Sequence, residues 1–138
     1  EALGAEDGQR IWQEMRALPL AAGRLIYRLT VPRKSLAQLI PVIQSSRTGA
    51  PAIVADMMIG TIWIVGAANQ TFTGEFSRLI GLAQQQRGHA VMFAAPAQLK
   101  QGVEVWGPAP PALALMREIK QQFDPQAILN PGRFVGGF

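Results

Sequence analysis

The apolar positions of this chain change period along its length, and each change marks an element. Over 9–18, QRIWQEMRAL, the residues Ile11, Trp12, Met15 and Leu18 recur at helical spacing until Pro19, which predicts a short amphipathic helix. From Arg24 the run RLIYRLTV alternates, with Leu25, Tyr27, Leu29 and Val31 on one side and Ile26, Arg28 and Thr30 on the other, as in a half-buried strand. Ser35 opens SLAQLIPVIQSS, where Leu36, Leu39, Ile40 and Ile43 form an apolar stripe and Ser35 and Gln38 stand at capping-box spacing. Pro41 inside that stripe predicts a kink or a restart. PAIVADMM and GTIWIVGA are β-branched runs that meet at Ile59 and Gly60, predicting a hairpin. TGEFSRLIGLAQQQRG returns to the helical period, with Thr73 as N-cap, Phe76, Leu79, Ile80 and Ala83 on one face and Gly88 as the stop. HAVMFAAP, 89–96, predicts a fourth strand.

The order strand, helix, strand, strand, helix, strand predicts an α+β fold of the ferredoxin-like βαββαβ type, an antiparallel sheet with its two helices on one face. Pro96 to Pro111 is loop-like, and ALALMREIKQQF then gives a last helix, with Ala112, Met116, Ile119 and Phe123 on one side, stopped at Asp124-Pro125. The chain therefore divides into a linker with a short helix at 1–23, a ferredoxin-like domain at 24–96, and a proline-rich loop, helix and tail at 97–138. The opening EALGAEDGQR reads as an acidic stub at a domain boundary, without the basic start and apolar run of a secretory signal.

With 138 residues, 49% of them apolar and 16% charged, the chain can bury a core of its own. Its apolar runs break long before the roughly 20 residues a bilayer span needs, which predicts no transmembrane helix. Zero cysteines exclude disulfides and Cys-bound iron–sulfur clusters, so a cluster would belong to a partner. The net charge of +4 is unevenly placed: Arg24, Arg28, Arg33, Lys34 and Arg47 fall in a stretch without an acid. That stretch suits contact with an anion or a solvated face. Nucleic acid is not expected, because no Lys/Arg-Gly-aromatic run is present and the central strands offer mainly Ile, Val and Ala. Tyr27 and Trp63 are expected to pack in the core, with Trp106 anchoring the proline-rich loop. Met57 and Met58 are expected to pack around the hairpin.

The segment VEVWGPAPPALALMREIKQQFDPQAILNPGRFVGGF, 103–138, resembles the C-terminus of the FAD-binding subunits of glycolate oxidase (glycolate dehydrogenase). These belong to the wider FAD-linked oxidase family of the vanillyl-alcohol oxidase and D-lactate dehydrogenase type. The resemblance rests on an ordered set: Phe123 ending a helix, Asp124-Pro125 stopping it, then Asn130, Pro131, Gly132 and Arg133 near the chain end. It implies that 24–96 is a cap over a flavin and that the tail returns to an upstream FAD-binding domain of the same chain. Asn130, Gly132 and Arg133 are then docking residues near FAD, and Arg24 and Arg28 candidates for contact with the substrate anion. Oxidation of glycolate to glyoxylate is implied for a complex with a catalytic flavoprotein subunit and an iron–sulfur subunit. That complex is expected in the cytoplasm, with any membrane association made through its partner subunits.

No catalytic residue is assigned to this chain, and FAD is expected in the full-length subunit rather than in this fragment, which lacks a Gly-rich phosphate loop. Gly88-His89 is similar to the start of a paired-histidine metal site in part of the family, but AVMFAAP follows without a second histidine or an acid, so no metal is expected. The alternative from another class is a free-standing ferredoxin-like module that dimerises through its sheet or binds a small ligand.

Overall fold

The computed structural model describes residues 4–17, 24–45, 51–68 and 70–138; Leu18, Pro19 and Arg47 fall outside them. It contains two compact units, 1–105 and 106–138. The first unit begins with α1 (Ala5–Ala17), which starts earlier than the apolar spacing predicts because Glu6 and Asp7 sit in its first turn, where negative charge suits the helix dipole. The sheet and its helices follow as β1 (Arg24–Thr30), α2 (Leu36–Gln44), β2 (Ala52–Asp56), β3 (Thr61–Ala67), α3 (Gln70–Gln85) and β4 (His89–Ala94). The strand order is β2-β3-β1-β4 and every pairing is antiparallel, the topology that the βαββαβ plan requires.

The alternation in β1 sorts its residues as the period predicts. Leu25, Tyr27, Leu29 and Val31 join Leu36, Leu39 and Ile43 of α2, Ile62 and Ile64 of β3, and Phe76, Leu79 and Ala83 of α3 in one buried cluster. Each fully buried aliphatic side chain there contributes about 1.5–3 kcal/mol relative to exposure. Tyr27 is fully buried, and its ring stacks on Phe76 at 5.2 Å. Burial pushes its phenol well above the ordinary range, with the charge of Glu75 adding to the effect.

Three local expectations are corrected, and for Pro41 the restart is excluded. Ser35 makes no capping hydrogen bond, because a 3₁₀ turn over Arg33–Ser35 already leads into α2; its hydroxyl donates instead to Gln86 Oε1 at 2.8 Å. Pro41 lies within α2, which runs through it to Gln44. Helix α3 begins at Gln70, so Thr73 sits in its first turn and is not the cap. At its far end the left-handed position belongs to Arg87 (φ 58), with Gly88 N–H donating to Ala83 O and Arg87 N–H to Gln84 O. Gly88 is needed for another reason: a Cβ there would lie 2.2 Å from Thr30 O.

The hairpin turn is also longer than two residues. It spans Met57–Gly60, held by Asp56 Oδ1, which accepts the N–H groups of Met58 and Ile59. After β4 the predicted loop contains one helical turn, α4 (Ala97–Lys100), and Val105 O accepts the N–H of Met92, occupying part of the β4 edge. In the second unit α5 (Leu113–Phe123) ends at Asp124 as expected.

Candidate functional site

The face of the sheet away from α2 and α3 carries Arg24, Ile26, Arg28 and Thr30 of β1. Strand pairing sets Trp63 opposite Arg28, Val65 opposite Ile26, and Val54 beyond Trp63. Trp63 is thus a half-buried residue of this second face and not of the core, because its partner position is even-numbered in β1. Phe93 reaches the same place through a bulge. The β1–β4 register steps from Tyr27↔Met92 to Ile26↔Ala94, leaving Phe93 as the extra residue. Its ring meets Trp63 edge-on at 4.8 Å, although β1 runs between their strands.

The Arg28 guanidinium carbon lies 5.7 Å from the Trp63 ring centroid and 5.8 Å from that of Phe93. The positive charge is thereby held against two electron-rich ring systems. Among the described residues, Arg28 Nε is a buried donor without a hydrogen-bond partner, and no carboxylate lies within ion-pair distance of the side chain. Arg24 stands exposed at the start of the strand, roughly 13 Å along it from Arg28 at strand rise.

Beside this cluster a cleft of about 600 Å³ opens over the sheet, lined by Ile26, Trp63 and Val65, by Met57 and Met58 of the hairpin, and by Trp12 of α1. Met57 and Met58 are largely exposed there and do not pack around the hairpin. His89 lies exposed at the sheet end opposite Thr30. No group of three or more His, Cys, Asp or Glu side chains suited to a metal occurs among the described residues.

In the second unit the organising residue is Asp124, which the sequence reading treats only as a helix stop. Its side chain is buried, salt-bridged to Lys120, and accepts the N–H groups of Ile128 and Leu129 at 3.0 Å each; Lys120 Nζ also donates to Leu129 O at 2.7 Å. The Lys120 contact, helped by the two backbone donors, holds the Asp124 carboxyl below its ordinary 3.8. A depressed folded-state value means that this stabilisation is complete above about pH 4 and is lost as the pH falls through the folded value. Protection of the Ile128 and Leu129 amides against exchange should therefore fall as the pH drops through the folded value, and Asp124→Asn should abolish that pH dependence. Equal protection profiles in the two proteins would contradict the latch.

The latch fixes the turns that follow. Asn130 takes a left-handed backbone (φ 49), which asparagine tolerates, and Arg133 N–H closes a turn on Asn130 O at 3.2 Å. Gly132 serves its positive φ of 68; a Cβ there would touch nothing within 4 Å, so within this chain close approach is not the reason for glycine. Asn130 and Arg133 come together with Lys120 on a cleft of about 680 Å³ that Trp106 and Phe134 also line. Trp106 anchors the loop edge-on against Phe134 at 5.7 Å, and Phe134 meets Phe138 at the same distance. The expected apolar side of α5 is not buried: Phe123 is 82% exposed and Ile119 48%.

Compared with known proteins, residues 107–134 match the family described as FAD linked oxidases, C-terminal domain. The matched stretch takes in α5, the Asp124 latch and the Asn130–Arg133 turn, well under half of the chain. No curated protein and no solved structure matches the chain significantly. No described helix is long and apolar enough to cross a membrane.

Proposed function

We propose that this chain is the C-terminal part of an FAD-linked oxidoreductase subunit acting on a 2-hydroxy acid, glycolate being the substrate that the tail resemblance suggests. The observation that carries the reading is the family match at 107–134, which falls on a segment whose geometry is set by a buried charged latch.

The chain's own residues do not fit the whole cofactor. The strand-to-helix junctions, VPRKS after β1, ANQ after β3 and AP after β4, lack the glycines that let a pyrophosphate approach backbone N–H groups. FAD therefore belongs to a separate FAD-binding domain, placed by this reading upstream on the same polypeptide, where it supplies the hydride acceptor. The sheet face bearing Arg28, Trp63 and Phe93 is the surface suited to cover a reaction centre, being cationic, aromatic and without a phosphate loop. Asn130, Gly132 and Arg133 dock the tail near the FAD domain, and electrons leave through a catalytic flavoprotein and an iron–sulfur partner in a cytoplasmic complex.

Arg133→Ala in the full-length subunit tests the docking role. Loss of one charge-assisted contact should weaken FAD retention about tenfold or more, read as flavin per chain after dialysis. Unchanged flavin content and activity would remove Arg133 from the docking surface.

A further inference from the structure

Arg28 poses a physical problem that the fold itself does not solve. A guanidinium withdrawn from water is normally matched by a carboxylate or by acceptors for its N–H groups. Here the residue is half-buried, and among the described residues its Nε–H has no acceptor and no carboxylate lies within ion-pair distance. Trp63 and Phe93 offset part of the cost through their rings but accept no strong hydrogen bond. Nε is the guanidinium nitrogen that is both buried and unmet, so an external carboxylate would be taken by the terminal amino groups of this planar, always-charged fork.

The space beside it specifies the rest of the ligand. Trp63 both flanks Arg28 and lines the cleft, and Ile26 lies one residue pair away on the same face of the same strand. The cleft's volume falls within the roughly 300–1,000 Å³ of small-molecule sites. Its charged lining residues are Arg16 and Asp56; Arg16 is exposed on α1, and Asp56 is engaged by its own turn. Glycolate, whose substituent at the hydroxyl-bearing carbon is hydrogen, would leave this apolar space unfilled.

We propose that Arg28 is the anion-binding residue of the domain and that its ligand is a carboxylate carrying a bulky apolar or aromatic substituent, which occupies the Ile26, Trp63 and Val65 cleft. Binding of such a ligand needs no flavin; only its identification as the substrate to be oxidised rests on the flavoprotein proposal, and it replaces glycolate with a larger 2-hydroxy acid.

The test is calorimetric titration of the purified chain with mandelate, glycolate, mandelamide and inorganic phosphate, followed by indole N–H shifts in NMR spectra. Mandelate should bind about tenfold or more tightly than glycolate or phosphate, and neutral mandelamide should bind at least about tenfold more weakly than mandelate. Arg28→Lys, which keeps the charge without the fork, should lose about tenfold, and Arg28→Gln more, while Arg16→Gln should change little. The dispersion of the NMR spectrum confirms folding of each variant. Failure of mandelate to bind, glycolate binding equally well, or full affinity in a folded Arg28→Gln chain would overturn the proposal. So would binding of a single-stranded oligonucleotide in place of mandelate, which would make the face a base-stacking platform. Mandelate binding through Arg28 in a chain that never associates with an FAD domain would uphold this site and sink the flavoprotein reading.

Discussion

Gly60→Ala should destabilise the chain by about 3 kcal/mol or prevent folding, the sum of a left-handed backbone penalty and a steric clash. Gly60 has φ 75, and a Cβ on it would lie 2.1 Å from Val31 O, a backbone atom that cannot swing aside. Val31 N–H also donates to Gly60 O at 2.9 Å, so the residue ties the end of β1 to the hairpin. The same tie fixes the register that sets Arg28 opposite Trp63, so damage there should reach the candidate site as well as the core. Gly81 within α3 provides the contrast. A Cβ there meets nothing within 4 Å, and Gly81→Ala should stabilise by about 0.5–1 kcal/mol. Chemical denaturation of the two variants checks both signs, and a Gly60→Ala protein as stable as the parent would contradict the close approach.

The period of the apolar residues places the four strands and four of the five described α-helices, because the Tyr27 side of β1 must be buried and the βαββαβ order then leaves one sheet that satisfies the apolar stripes. It failed where geometry is set by long-range contact. Trp63 reads as core from its apolar neighbours Ile62 and Ile64, yet pairing with Arg28 turns it to the opposite face. Phe93 joins it through a one-residue bulge that no local pattern announces. Arg28 is visible as a candidate through the acid-free basic stretch it belongs to; that no carboxylate pairs with it among the described residues depends on what the other strands bring beside it. Asp124 was legible as a helix stop, and the signal for more was Lys120, one helical turn earlier. Gly88 was legible as the end of α3, but that the left-handed residue there is Arg87 was not.

The second large effect concerns flavin. Without a glycine-rich junction in 24–96, and with Asn130 and Arg133 proposed as docking residues, the chain by itself should hold no FAD at all, whereas the chain joined to the FAD-binding domain proposed for it should hold it stoichiometrically. The difference is all-or-none because the pyrophosphate supplies much of such a cofactor's polar recognition, and the chain has no counterpart for it. The most direct measurement is the flavin absorbance of the two purified proteins after incubation with FAD and gel filtration. The account predicts a colourless chain and a yellow joined polypeptide that loses its colour when residues 107–138 are removed. A chain that retains FAD by itself, or a joined polypeptide whose flavin content is indifferent to the loss of 107–138, would contradict it.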